Sequence, residues 1–430
     1  MLLSQAICKI SFEQIISIAG STSISYNAIL KMTLYKIFII FQRIDKMTHV
    51  FIVNDITLKY HLEYMFAGIG ANCDAPFLEN ANYQNSRRKE DGLTATSERN
   101  LAAMVADISR IRTGDKVIFY LQAGNHEGKF YGVFKAVGEP FYDSNGNNYL
   151  SLEMGKDLNL RIRIEPDEVY ANGVSEHKAL DLLDEINHPS EMCWSLIYRK
   201  LKGNRGCTMI TDYEADKLIQ KIRTENSNAA LEGTSFTYDI IQEKIVPIDE
   251  TALYEGETKT VSIKDRLLVK YHRGNAFESH LQAYVVQNCL AEPLCNLLHI
   301  DTEKATWIGN EVSCGVGMQR IDVVTVQEDN RSVRINIIEL KDEEPYDSII
   351  TYQLPWYIDW VKNYWCPLYT GKEITIYPIV IAKKTNDRNR ERFHNSSNTL
   401  VYPTQDDISV SAVEYIAFDI DEDITFEKVF

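Results

Sequence analysis

The chain has 430 residues, 45% hydrophobic and 25% charged, with a formal net charge of −16, the make-up of a globular protein long enough for two or three domains. That charge excludes a polycation that coats nucleic acid through bulk composition, but not a nuclease, since DNA affinity depends on local basic surface and a metal site is itself acidic. No run reaches the roughly 18 apolar residues of a membrane span, so no membrane partner is expected.

Residues 1–46 connect poorly with the segment after them and read as a spurious N-terminal extension, with Met47-Thr48-His49-Val50-Phe51-Ile52-Val53-Asn54 as a natural start running into a first strand. Neither a basic start nor a small-residue cleavage site frames a signal peptide there. From 47 to about 222 the pattern is α/β, with strands predicted at 50–53, 116–121, 130–137 and 160–164 and a helix over 97–111. The block Gly114-Asp115-Lys116-Val117-Ile118-Phe119-Tyr120, then Gly128-Lys129-Phe130-Tyr131-Gly132-Val133-Phe134, then Gly138-Glu139-Pro140-Phe141-Tyr142-Asp143 resembles the EVE and related PUA-like domains. The resemblance implies a small β-barrel that reads modified bases in nucleic acid.

An extruded base is held by stacking on aromatics and by hydrogen bonds to its edges. Trp194 is the only tryptophan of this half and is the stacking candidate, with Tyr83, Phe77 and Tyr120 as cage partners, although aromatics taken singly are more often core. Arg87-Arg88-Lys89 and the group Arg199, Lys200, Lys202 and Arg205 suit phosphate contacts. Gly203 and Gly206 favour the second group by allowing close backbone approach. The other reading of each group is a solvated charged face. Residues 223–262 carry turn chemistry and acid, and read as an interdomain linker with some local structure.

In residues 263–430, Phe277, Leu281, Tyr284, Val285 and Cys289 recur at helical spacing, so Glu278 sits beside a buried stripe and can face a site at its edge. Lys270, His272 and Arg273 lie just upstream as phosphate-contact candidates. Gln319-Arg320-Ile321-Asp322-Val323-Val324-Thr325-Val326 and Ile335-Asn336-Ile337-Ile338-Glu339-Leu340-Lys341, parted by a polar turn, predict an antiparallel hairpin. Side chains alternate, so Glu339 and Lys341 share one face. A Glu-x-Lys by itself is common at strand ends that meet solvent. With Asp322 on the neighbouring strand it becomes a working set for phosphodiester hydrolysis: Asp322 and Glu339 as ligands of Mg2+ or Mn2+, and Lys341 orienting or activating the attacking water, or offsetting charge. A further strand over 373–382 ends in Lys383 and Lys384, with Arg388, Arg390 and Arg392 beyond. That is a place for a DNA backbone to lie.

Arg320-Ile321-Asp322, Glu339-Leu340-Lys341, Gln353-Leu354-Pro355-Trp356-Tyr357 and the upstream Glu278 together resemble the PD-(D/E)xK nuclease superfamily, in particular its RecB-like branch and the NucS-type mismatch endonucleases. The likeness covers roughly residues 265–385. It implies a restriction-endonuclease-like α/β/α domain with a mixed central sheet, Glu278 as a third acidic ligand, Gln353 supporting the lysine or a phosphate, Tyr357 beside the scissile group, and Arg320 as a DNA contact. Pro355 departs from the pattern, because proline is tolerated only in a helix's first turn. Trp356, Trp360 and Trp365 read as core or interface rather than base-stacking groups. The acidic stretches at 249–257, 406–407 and 419–427 read as solvated faces.

The eight cysteines, Cys8, Cys73, Cys193, Cys207, Cys289, Cys295, Cys314 and Cys366, include no Cys-x-x-Cys pair, the usage of a reduced cytoplasmic chain without a zinc cluster or disulfides. The expectation is thus a mixed α/β protein: a base-reading N-terminal domain directing a Mg2+-dependent DNA endonuclease of restriction or defence type. NucS-like work on mismatched or branched DNA, and a binding protein whose nuclease fold has lost activity, are the alternatives. RNA stays open as a partner, and a double-strand break needs two such sites, as a homodimer would supply.

Overall fold

A computed structural model describes residues 47–70, 78, 80–82, 96–124, 126–143, 149–180, 185–197, 206–315 and 319–430. All of them belong to the unit Lys46–Phe430, a mixed α/β structure with three sheets. The first sheet collects β1 (Thr48–Val53), β2 (Phe66–Ile69), β3 (Lys116–Leu121), β4 (Lys129–Tyr142), β5 (Leu160–Pro166), β6 (Val174–Ser175) and β7 (Cys207–Ile210). Its path is β2-β5-β4-β3-β1-β7, with β6 on β4. Only β1 and β3 run parallel, and the crossover between them carries helices α1 (Asp55–Glu63) and α2 (Glu98–Ser109). Ser97 caps α2 through its side chain, where the sequence places the helix start.

The apolar run of β3 is explained by burial on both faces. Val117, Phe119 and Leu121 enter the cluster that also holds Leu101, Met104, Val105 and Ile108 of α2. Ile118 and Tyr120 enter a second cluster with Ala215, Leu218, Ile219 and Ile222 of α3 (Asp212–Glu225). A sheet clad by helices on both faces has no lumen to close around. Among the described residues it does not form the closed barrel expected for this half, since no ladder joins β2 to β7. It does curl: a Cβ on Gly206, just ahead of β7, would come 2.6 Å from the side chain of Ile69 at the end of β2.

The stretch read as a linker is folded onto this sheet. Strands β8 (Phe236–Asp239) and β9 (Lys244–Pro247) form a hairpin, Phe236, Tyr238 and Ile245 are buried in the main cluster, and β10 (Lys259–Thr260) pairs with β4.

Helices α4 (Lys264–His272) and α5 (Glu278–Asn288) then lead into the second large sheet, made of β11 (Trp307–Ser313), β12 (Arg320–Glu328), β13 (Ser332–Leu340), β14 (Glu373–Lys383), β15 (Ile408–Val410), β16 (Glu414–Ile420) and β17 (Ile424–Lys428). The order is β11-β12-β13-β14-β16-β17, with β15 on β14. β11, β12 and β13 are antiparallel neighbours, and β13, β14 and β16 are parallel. The parallel crossovers carry α6 (Leu354–Tyr364) and α7 (Asp387–Ser397). Pro355 falls in the first turn of α6, and a π-helical turn at Ile349–Gln353 runs directly into it, the kind of local irregularity that accompanies a proline within helical backbone.

Helix α5 packs against α2 and against β11, β12 and β13, and one apolar cluster runs from Phe51 and Met104 to Leu281, Val324 and Ile338. Fully buried Arg110 donates to Asp107 at 2.7 Å and to Asn310 of β11, and reaches Cys207 Sγ at 3.6 Å. Glu98 of α2 accepts from Arg266 at 2.7 Å and His280 at 3.0 Å and pairs with Lys270 at 2.5 Å. Burial would raise its pKa, but these three partners outweigh burial and hold it down at about 2. Among the described residues no helix is long and apolar enough to cross a membrane, and Cys193, Cys207, Cys289, Cys295, Cys314 and Cys366 are buried and form no disulfide.

Candidate active site

The predicted hairpin forms. Its tight end is held by Asp329, whose carboxylate accepts from the N–H groups of Arg331 at 2.9 Å and Ser332 at 2.8 Å. The register runs to Val323 opposite Ile338, and the next step brings Asp322 and Glu339 side by side at the other end. One oxygen of Asp322 accepts the N–H of Leu340 at 2.8 Å, and its carbonyl accepts from Gln282 of α5 at 2.9 Å. Lys341 follows β13 directly, its N–H bonded to the Ile381 carbonyl of β14 at 2.9 Å. The site thus sits at the carboxyl ends of parallel strands, where open α/β sheets place ligands.

Lys341 Nζ lies 2.7 Å from Glu339 Oε1, 3.3 Å from Glu278 Oε2 and 2.9 Å from the Leu340 carbonyl oxygen. Glu339 is 1% exposed and Lys341 8%, so the cluster is built into the sheet rather than spread on its surface. Burial lowers the pKa of Lys341, but Glu339 and Asp322 more than offset this and keep the ammonium charged. The other oxygen of Glu339 is buried with no hydrogen-bond partner, as is Gln353 Oε1 at the end of the π turn. Tyr357 is buried on α6, and burial, then the charges of Glu339 and Asp322, raise its hydroxyl pKa. The structure thus brings Asp322, Glu339, Lys341 and Glu278 together and sets Tyr357 beside the two strand carboxylates.

Asp342, which the motif reading passed over, ties the set together. Its Oδ2 accepts the N–H groups of Phe277 at 2.6 Å and Glu278 at 3.2 Å. The residue after the lysine thereby caps the helix whose first residue meets that lysine. Only the fold reveals this, because cap and helix are 64 residues apart. Asp342→Ala should cost about 1 kcal/mol of cap energy and lower any cleavage activity about tenfold, while Asp342→Asn, which keeps an acceptor oxygen, should recover most of both. Melting curves and kcat/KM of the pair check this.

Burial, then the charge of Glu339, hold the Asp322 carboxyl well above the usual carboxylate range, with Lys341 opposing. Burial raises Glu278 as well. A raised carboxyl binds its proton more tightly in the fold than in the unfolded chain. It therefore favours the fold at acid pH and burdens it once pH climbs through the folded-state pKa. In a chelated sample at neutral pH, Asp322→Asn should raise Tm by about 1–3 °C, a gain that shrinks as pH falls. A lowered Tm instead would mean that the ion pairing with Lys341 outweighs the burial cost.

Among the described residues no three His, Cys, Asp or Glu side chains are grouped so as to hold a metal ion, and Glu278 is turned to the Lys341 ammonium. Mg2+ needs no all-protein cage. It is usually held by one or two carboxylates, with water and phosphate completing the shell. Asp322 and Glu339 fit that role, and Glu339 Oε2, buried without a well-formed hydrogen bond although the Tyr357 hydroxyl stands close to this carboxylate, is an acceptor that a cation would satisfy.

The remaining predicted contacts are spread out. Arg320 pairs with Glu311 on β11. Lys383 lies 5.3 Å from the Tyr271 ring centre, and Lys384, exposed, pairs with Glu427 at 2.8 Å. Arg390 and Arg392 pair with Asp387 at 2.9 Å and Asp347 at 2.5 Å, and Arg388 is exposed. Upstream, Lys270 is committed to Glu98 and Arg273 donates to Asn82 at 2.8 Å. Trp194 and Tyr120 are not brought together: Trp194 meets Trp360 and Tyr364 edge-on at 5.1 and 5.5 Å, while Tyr120 is buried in another cluster against Phe130 and bonded to Glu176. Tyr83, Phe77, the group Arg199, Lys200, Lys202 and Arg205, and Arg87-Arg88-Lys89 lie outside the described residues.

No family model matches the chain. No curated protein matches it either. Among solved structures, "Structure of Hypothetical protein from Leishmania major" aligns over 42% of this chain and 97% of its own, at 10% identity and a TM-score of 0.28, which is too distant to carry an argument.

Proposed function

We propose that the chain is a Mg2+-dependent DNA endonuclease, with Mn2+ serving in place of Mg2+. Its C-terminal half would be a restriction-endonuclease-like α/β/α domain, and its N-terminal half an EVE/PUA-like module that directs cutting to modified bases. The observation that carries this reading is that Glu339 and Glu278 both contact Lys341 at the end of β12 and β13, with Asp322 held beside Glu339 by the Leu340 N–H and one buried Glu339 oxygen left unpartnered. In this reading Asp322 and Glu339 hold the metal. When bound there, the metal would lower the pKa of the attacking water and stabilise charge on the phosphate oxygens. Lys341, kept charged by its carboxylates, offsets negative charge that develops on the scissile phosphate. Asp342 holds Glu278 in reach of that ammonium, and the Tyr357 hydroxyl stands beside Glu339 and Asp322. The half that would read bases rests on the sequence resemblance alone.

The test is cleavage of modified and unmodified plasmid with Mg2+ and with a chelator. Metal-dependent cutting that prefers modified DNA supports both halves of the reading. Equal cutting of both plasmids removes the reader. No cutting with DNA still bound leaves a binding protein.

A further inference from the structure

Helix α5 is gripped on two faces. Glu278 and Gln282 stand one turn apart on the face turned to the second sheet, where Glu278 meets Lys341 and Gln282 donates to the Asp322 carbonyl. His280 and Gln287 stand two turns apart on another face, the one turned to α2. There His280 bonds to Glu98, the first residue of α2, at 3.0 Å. Gln287 donates to Ser109 Oγ, on the last residue of α2, at 3.0 Å and to the Val261 carbonyl at 3.1 Å. Helix α2 thus lies along α5 as a splint fastened at both of its ends, with the first sheet behind it and the second sheet beyond α5.

The start of α2 carries more of this grip. Glu98 also takes Arg266 and Lys270 of α4, the helix that leads into α5, at 2.7 and 2.5 Å. Arg266 is itself buried and ties back to the Asn80 and Ala81 carbonyls of the N-terminal half at 2.9 and 3.3 Å. His280 is buried and its Nδ1 has no hydrogen-bond partner, so the bond to Glu98 is the one that orients the ring. A single carboxylate of the N-terminal half therefore governs how far along and around its axis α5 sits. Those two settings decide where Glu278 and Gln282 fall over the site, and displacing reacting groups by about 1 Å lowers a rate steeply. Resting on the nuclease reading of that site, we infer that Glu98 is a positioning residue for cleavage, acting through His280 and α5 on the placement of Glu278 against Lys341. The C-terminal half is then not a self-contained nuclease, since part of its working geometry is set by a side chain of the other half.

The test compares variants of the full chain at temperatures where circular dichroism shows each to be folded. Glu98→Ala should lower kcat for plasmid cleavage about tenfold or more, with KM little changed, because the substrate does not touch Glu98. Glu98→Gln loses the charge that holds Arg266 and Lys270 and should melt early like the alanine variant, but it keeps an acceptor for His280 and should recover most of kcat. Adding Glu98→Ala to Glu278→Gln should slow cleavage no further, as expected of a residue that acts through Glu278. Hydrogen exchange of the amides of 278–288 should quicken in Glu98→Ala, while those of 332–340 stay as in the wild type. Losses that multiply in the double variant, a glutamine variant as slow as the alanine, or unchanged exchange in α5 makes Glu98 a stabilising residue only and overturns the inference, while cutting by the wild type leaves the nuclease reading in place. A wild type that never cuts with Mg2+ ends the nuclease reading and the role in cleavage with it, whatever the exchange shows.

Discussion

Asp322→Ala and Lys341→Ala should each lower metal-dependent cleavage about a thousandfold or more, measured at temperatures where each variant is still folded. Asp322 is one of two carboxylates suited to a divalent cation, and its backbone is separately held by Gln282, so the alanine leaves the strand in place. Lys341 presents the charged group that Glu278 and Glu339 contact directly and that the Asp322 charge also acts on. Removing it leaves Glu339 buried beside Asp322 with no cation. The two variants should differ in how they respond to metal. Asp322→Ala weakens metal binding, so titration with Mn2+ recovers part of its rate, whereas Lys341→Ala binds metal and stays slow. Single-turnover cleavage across a metal titration separates them. Wild-type rates in both would end the assignment of this cluster as catalytic.

The second large effect is on stability. Arg110→Ala should destabilise the unit by about 3–5 kcal/mol, the scale for breaking a buried pair from one side. Arg110 stands at the end of α2, where it meets Asp107, Asn310 of β11 and Cys207 of β7, and Asn310 also donates to Asp107 at 2.8 Å. The network therefore joins the helix of the first half to the first strand of the second sheet. Without the guanidinium, Asp107 is a buried carboxylate that has lost its cation. Replacing both members, Arg110→Met with Asp107→Leu, should recover most of the loss, since it is the stranded charge that is costly. Urea unfolding of the wild type and both variants gives the comparison, and a loss under about 1 kcal/mol for Arg110→Ala would show the network to be dispensable. Because α2 packs on α5, which presents Glu278, the single variant should also cut more slowly at temperatures where it is still folded.

The elements near the candidate site were legible because their signals are local. Alternation of side chains along 335–341 sets Glu339 and Lys341 on one face, and the structure joins them at 2.7 Å. The hairpin expected across the polar stretch 327–332 forms with its turn at 329–331, Gln327, Glu328 and Ser332 belonging to the strands, Ser97 caps the helix it precedes, and the run 116–121 is a strand with the predicted bounds. Each of these depends on residues within a few positions of one another, where strand and helix periodicity act directly. Pro355 looked like a flaw in a helix and falls in the first turn of α6, with a π-helical turn running directly into it.

What the chain order could not convey is which distant faces meet. The stretch 223–262 reads as loose text, yet Phe236, Tyr238 and Ile245 are buried in the main core. Trp194 carries the same local signal as a stacking residue and finds Trp360 and Tyr364 as partners, whereas Trp356, on the same helix as Trp360, is left facing out. Asp342 becomes a helix cap only when α5 is laid against the end of β13. Near neighbours in the chain suffice for the strands, the helices and the facing of Glu339 and Lys341, because backbone geometry imposes those periods on them. The two-sided cladding of the first sheet, the seam through Arg110 and the convergence on Lys341 arise only on folding, because they depend on contacts between residues tens to hundreds of positions apart.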